Sequence, residues 1–331
     1  MAATTKTKKK PETEEQRRAR LDAAKKRRAE ALAAIPPPPH PLDDLGFYDI
    51  IINSSGGKDS QAMLDYVHEL LRKAGLLHRV LIVVVHVDMG KEEWDETVPL
   101  APGWKGTVDL TGRQAAAYGL RFEVRFRRNK KTKKREGLLM QVRARGMWPS
   151  AKARYCTSDQ KRAVVRAFIT ELVRERGLDR PARVLNIKGM RSQESCAREE
   201  MAPFEMDEGA TYPSTRHVWT WLPIKEWTVE QVWQRIRASG VPYHPIYDHG
   251  VSRASCSLCV LASKCDLIKS IQLRDQAATA DASVPNLVDE YIAVEEEIGH
   301  KFRADVSIAE LAREARGGET VQLGLFATVA T

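Results

Sequence analysis

The sequence lacks an apolar run long enough to cross a bilayer. Its longest, residues 80–87, holds Leu81, Ile82, Val83, Val84 and Val85 and has the length of a buried strand. The basic N-terminus also lacks the apolar stretch of a secretory signal, so a cytoplasmic location is expected. No internal repeat is present, which excludes a solenoid. Cysteine is scarce: Cys156, Cys196, Cys256, Cys259 and Cys265 are too few for a disulfide framework in 331 residues. Three of them crowd into residues 256–265, which points to a metal or redox role. What remains is ordinary globular material, 43% hydrophobic and 29% charged, long enough for one large domain with appendages or two small ones.

Charge is unevenly placed. Residues 1–34 carry eleven Lys/Arg against five acids, which is +6 of the chain's net +9. Such an arm either holds nucleic acid through phosphate contacts or is simply solvated. Residues 12–34 have high helix propensity but few apolar anchors, as in a lone helix or a disordered segment. Pro36 to Pro39 then stiffen a linker. The expected division is an arm and linker at 1–45, a nucleotide-binding domain at 46–267 and a helical extension with a loose tail at 268–331.

Beyond the linker, strand-like runs at 47–53, 81–87, 121–126 and 183–189 alternate with helical stretches at 59–74, 108–118, 137–145 and 159–176. That alternation predicts a parallel sheet covered by helices on both faces. Further helices are expected at 228–239, where Thr228 and Gln231 match a capping box, and at 257–277 and 286–302.

Ser55-Gly56-Gly57-Lys58-Asp59-Ser60 follows the first strand and opens the first helix. Glycines let the backbone approach a ligand, and the helix N-terminus favours an anion. Lys58 adds a cation, and Ser55 and Ser60 add hydroxyls. The adjacent glycines and Asp59 exclude a Walker A loop. The alternative is a plain helix start with no ligand.

This loop resembles the PP-loop signature Ser-Gly-Gly-x-Asp-Ser of ATP pyrophosphatases and phosphoadenosine phosphosulfate (PAPS) reductases. Four further stretches, in the same order across 47–267, resemble the PAPS reductase family. They are Arg154-Tyr155-Cys156 with Lys161; Gly189-Met190-Arg191 with Glu194, Ser195 and Arg198; Pro223-Ile224 with Trp227; and Tyr247 to Cys259, including Gly250, Arg253, Cys256 and Cys259. The resemblance implies a doubly wound, Rossmann-like α/β fold. It implies ATP, PAPS or adenylyl sulfate as the nucleotide, with Mg2+. It implies that Ser55 to Ser60, Asp88, Arg154, Lys161, Gly189, Arg191 and Glu194 bind that nucleotide, with Lys58, Asp59 and Arg253 as candidate catalytic residues. For Asp88 the resemblance implies a ribose or metal contact at the carboxyl edge of the sheet, the alternative being a strand-ending turn residue. Guanidinium groups suit a phosphosulfate or triphosphate because they bind oxyanions in a bidentate manner. Trp221, Trp227 and Trp233 read as core packing.

Adenylyl-sulfate reductases in this family hold a [4Fe–4S] cluster with a Cys-Cys pair plus Cys-x-x-Cys. Here Thr157 follows Cys156, so Cys265 is the candidate fourth ligand beside Cys156, Cys256 and Cys259. A four-thiolate site suits iron–sulfur or zinc, the alternative being free thiols. Cys196 reads as a small packed residue. Residues 317–331 lack the nucleophilic cysteine of the PAPS-cleaving reductases, which turns the resemblance toward the sulfur-transfer proteins of DNA phosphorothioation. That implies nucleotide activation with pyrophosphate release and sulfur transfer, with a cysteine desulfurase or thioredoxin-like partner. The basic run at 125–135 fits a nucleic-acid acceptor or a solvated loop. Two other readings stay open: thiol-dependent reduction of PAPS or adenylyl sulfate, with Cys265 or Cys156 attacking, and a non-catalytic nucleotide-binding subunit.

Overall fold

The computed structural model describes residues 12–129 and 131–317. Its strands are β1 (Asp49–Ser54), β2 (Ile82–Val87), β3 (Arg121–Arg125), β4 (Ala182–Ile187), β5 (Phe204–Met206) and β6 (Arg216–Trp221). They form one sheet in the order β3-β2-β1-β4-β6-β5, parallel except for β5, which runs antiparallel to β6. The helices are α1 (Glu14–Ala33), α2 (Lys58–Lys73), α3 (Thr107–Ala117), α4 (Leu138–Arg145), α5 (Tyr155–Thr157), α6 (Ala163–Arg176), α7 (Cys196–Glu199), α8 (Val229–Ser239), α9 (Lys264–Ala280), α10 (Leu287–Ile298) and α11 (Ile308–Gly317).

The strands are apolar on both sides because both sides are covered. Val84, Leu185, Ile187, Trp219 and Trp221 pack with Met63, Leu64, Val67 and Leu71 of α2. Their neighbours Val83, Val85, Val184 and Val218 pack with Phe168, Ile169 and Leu172 of α6. This is the doubly wound α/β arrangement, and it puts the ends of β1, β2, β3 and β4 on one edge. A third cluster joins α4 and Trp148 to the C-terminal helices through Leu267, Ile271, Val288, Tyr291, Val294, Phe302 and Leu311. Each fully buried aliphatic or aromatic side chain in these layers contributes about 1.5–3 kcal/mol.

Several expectations need correction. Helix α9 starts at Lys264 rather than 257, because Ser263 caps it by accepting from the Asp266 N–H. The segment before it spends its backbone elsewhere, Ser257 donating to the Glu92 carbonyl at 2.8 Å. The helix expected at 159–176 is preceded by a wide turn, Ser158–Arg162. Strands β5 and β6 and helix α11 were not expected. Cys196 is exposed on the short helix α7 rather than packed as a small buried residue. The capping box of Thr228 and Gln231 is present. Trp221 is buried in the core, while Trp227 and Trp233 are half-buried against Tyr66 and against Tyr243 and Tyr247. The tail beyond residue 317 lies outside the described residues. No helix among the described residues is long and apolar enough to cross a membrane.

Candidate nucleotide-phosphate site

The turn from β1 into α2 is closely packed, and its glycines leave no room for side chains. Gly56 adopts φ 73°, and a side chain there would also meet Thr107 Cγ2 at 2.8 Å. A Cβ on Gly57 would lie 3.3 Å from both the Ala254 carbonyl and the Tyr247 hydroxyl. Ser60 Oγ donates to the Gly57 carbonyl at 2.8 Å and accepts from the Ser55 N–H at 3.2 Å, fixing the loop's curl. The first amide of α2, on Lys58, donates to the Tyr247 oxygen at 2.8 Å. Tyr247 opens the fourth family-like stretch but was not among the expected site residues. Its only sequence signal was its place in the closing loop. Burial raises its pKa to about 12, so it stays a neutral phenol.

Beneath the loop lies His244. Its Nδ1 accepts from the Ile246 N–H at 3.2 Å, which leaves the proton on Nε2, 3.2 Å from Thr107 Oγ1. Thr107 Oγ1 in turn donates to the Trp94 carbonyl. Burial lowers the His244 pKa to about 3. The folded protein therefore refuses a proton that the unfolded chain accepts near pH 6.5. Stability is full above about pH 6.5 and falls as pH drops toward 3. Urea melts of His244→Asn should show a smaller loss than wild type between about pH 6.5 and 4.5, above the carboxylate range. Parallel curves for the two proteins would refute this assignment.

The cleft over the loop is open to solvent, spans about 380 Å³ including its mouth, and is lined by Ser55, Gly57, Lys58, Asp59, Ser60, Gly189, Glu194, Arg198, Tyr247, Arg253 and Ala254. Lys58 is buried, its Nζ 3.2 Å from the Ser252 carbonyl and 3.3 Å from Asp59 Oδ2. Buried Arg191 donates from Nε to Asp59 Oδ1 at 2.5 Å and from Nη1 to the Trp227 carbonyl at 3.3 Å. Glu194 accepts from the Arg191 N–H, pairs with Arg198 and lies 3.8 Å from Arg253. The pKa of Arg198 is pushed down to about 10, first by burial and then by Arg253, with Arg154 and Arg191 adding to the repulsion. Four guanidiniums and Lys58 thus stand against two carboxylates, Asp59 and Glu194. That surplus of positive charge suits a polyanion.

Two expected nucleotide ligands stand apart. Asp88 sits at the carboxyl end of β2, ion-paired with Arg135 at 2.7 Å and accepting from the Gly90 N–H, and does not line the cleft. Lys161 stands among thiols. Burial opposes its charge, but Cys256, Glu93, Cys259 and Cys156 offset this and raise its pKa overall. Cys156 and Cys256 are both raised, mainly by burial. The same two segments therefore serve two places. Arg154 and Arg253 join the guanidinium cluster, and Cys156 and Cys256, two and three residues later, join the thiols.

Cys265 does not complete a four-thiolate site. It is exposed on α9, off the buried stripe of Asp266, Leu267, Ser270 and Ile271. Among the described residues no three His, Cys, Asp or Glu side chains are placed to hold a metal ion. The thiol group as it stands does not fit a cluster or zinc.

Comparison with known proteins identifies the domain family. The family model of the phosphoadenosine phosphosulfate reductase domain matches residues 49–262. An uncharacterized 37.8 kDa protein of Escherichia phage 186 is 32% identical over 123 residues, covering 37% of this chain and 34% of its own. Adenosine 5′-phosphosulfate reductase of Neisseria meningitidis serogroup B is 33% identical over 73 residues, 22% of this chain and 27% of its own. The chain thus spans only about a third of the length of those curated relatives. A crystal structure of phosphoadenylyl-sulfate reductase from Candida auris, in complex with phosphate, aligns at a TM-score of 0.40 and 17% identity, over 69% of this chain and 91% of that one. With the loop, the order of its flanking strands and the matched span in agreement, this chain belongs to the phosphoadenosine phosphosulfate reductase domain family.

Proposed function

We propose that this protein is a PP-loop enzyme that binds ATP in the 55–60 cleft, activates an acceptor with release of pyrophosphate, and transfers sulfur to it. The observation that carries the reading is the surplus of cations over the glycine loop. An acceptor oxygen attacks the α-phosphorus, the bond to the β-phosphate breaks, and its electron pair leaves with pyrophosphate. Lys58, Arg198 and Arg253 neutralise the leaving charge, while Asp59 holds Lys58 and Arg191 in place. Mg2+ would enter as the nucleotide's counter-ion. Sulfur arrives as the outer atom of a persulfide on one of Cys156, Cys256 and Cys259, handed over by a desulfurase-type partner's persulfide. It attacks the adenylated atom of the acceptor, AMP leaves with the bonding electron pair, and a second of the three thiols cleaves the S–S bond, releasing the thiolated acceptor and leaving a cysteine disulfide for an external thiol to reduce.

The test is product analysis by ion exchange, with MgATP in one sample and PAPS plus a thiol reductant in the other. AMP and pyrophosphate from ATP, lost on Lys58→Ala, support the proposal. Adenosine bisphosphate and sulfite from PAPS would replace it with a reductase. Tight ATP binding without turnover, even with nucleic acid and a persulfide donor added, would leave a nucleotide-binding subunit.

A further inference from the structure

The basic run after β3 is a built hairpin rather than a loose loop. Arg128 and Arg135 form an antiparallel bridge, and the Asn129 N–H donates to the Lys134 carbonyl at 2.8 Å. Asn129 Oδ1 accepts from the N–H groups of Lys131 and Thr132, and Lys133 adopts φ 60° at the tip. Phe126 lies between two guanidiniums, Arg128 at 4.4 Å and Arg135 at 4.9 Å from its ring centre. Arg127 is neutralised by Glu136, and Arg135 by Asp88. Arg128, Lys131, Lys133 and Lys134 have no carboxylate partner among the described residues and are exposed.

Its position matters as much as its charge. The hairpin leaves the carboxyl end of β3, two strands from β1, so roughly 10 Å of sheet separates the roots of hairpin and glycine loop. Arg127 also reaches the Asp159 carbonyl, in the turn that carries Lys161 beside the thiols. The N-terminal basic helix sits elsewhere. Arg28 of α1 bonds the carbonyls of Glu208 and Thr211, in the turn before the amino end of β6, on the opposite edge of the sheet.

We infer that the hairpin of residues 126–129 and 131–136 docks the phosphodiester backbone of a nucleic acid and presents it, as the acceptor, to the thiol side of the nucleotide cleft. The acceptor role rests on the activation reading above; the docking does not. Four exposed cations on one short turn, none with a carboxylate partner among the described residues, suit a row of backbone phosphates.

The test uses the full chain and fluorescein-labelled mixed-sequence oligonucleotides, DNA and RNA, single- and double-stranded, in anisotropy titrations over a salt series. One variant carries Arg128→Gln, Lys131→Gln and Lys134→Gln. A second carries Arg17→Gln, Arg18→Gln, Lys25→Gln and Lys26→Gln on α1. The hairpin variant should weaken binding by roughly a hundredfold or more and reduce the salt slope by about 3, one per lost phosphate contact. Its ATP affinity should be unchanged, which shows that it is folded. Unchanged oligonucleotide binding in the hairpin variant, loss confined to the α1 variant, or no binding by wild type would each overturn the inference. Failure of ATP turnover with hairpin-dependent binding intact would sink the activation reading and leave the docking surface standing.

Discussion

Gly189→Ala should cost the protein its nucleotide site. An added Cβ would lie 2.5 Å from the Asp59 carbonyl oxygen, 2.7 Å from its carbon and 2.8 Å from Ser60 Cα. All three are backbone atoms in the first turn of α2, so no side chain can swing aside. The φ of Gly189 is not in the left-handed region; the demand is for space alone. Strand β4 and helix α2 would have to separate, which costs about 1–3 kcal/mol or more for an overpacked contact. The shift moves the helix N-terminus that forms the floor of the cleft. We expect ATP affinity to fall at least about tenfold, since about 1.4 kcal/mol is one decade. Gly209→Ala is the control. The atoms nearest its Cβ would all belong to the guanidinium of Arg166, the far end of a long side chain. Calorimetric titration with MgATP and a urea melt on both variants decide the matter. Equal effects at the two glycines would contradict the assignment.

The second large effect belongs to Arg191→Met. Arg191 is 3% exposed and holds Asp59, the Trp227 carbonyl and Gln193. Methionine keeps the volume but leaves the Asp59 carboxylate with Lys58 alone, 3.3 Å away. Breaking a buried ion pair from one side costs about 3–5 kcal/mol, because the remaining charge is desolvated without its partner. Urea unfolding should show a loss of that order. Adding Asp59→Asn to Arg191→Met should recover part of it, as expected for two residues in one network. A single-variant loss below about 0.5 kcal/mol, the level of an ordinary surface change, would refute the pairing.

Much of this was legible in the sequence because the local signals agreed with one another. A strand period, two adjacent glycines and a helix period in succession located the β1–loop–α2 unit, and Thr228 with Gln231 located the start of α8. The edge of the sheet was harder. Phe204–Met206 is only three residues long, and Arg216–Trp221 alternates between two covered faces, so neither has an amphipathic pattern. The false start of α9 at 257 has a tertiary cause, since the backbone of Ser257 is bonded to Glu92, far away in sequence. Arg198 was visible as a motif letter, but its burial beside Arg253 appears only once the loops meet. Lys161 was read as a phosphate ligand from its place after Arg154. The wide turn at Ser158–Arg162 carries it to the thiols instead.

The central claim is that the cation-rich cleft over residues 55–60 holds the phosphates of a nucleotide. Its most direct test is calorimetric titration of wild type and Arg198→Ala with MgATP and, separately, with inorganic pyrophosphate. One saturable site for each ligand, weakened roughly ten- to hundredfold in the variant, is the predicted result, as for the loss of one charge-assisted hydrogen bond of about 1.5–3 kcal/mol. Equal affinity in the two proteins, with both folded by circular dichroism, would contradict it.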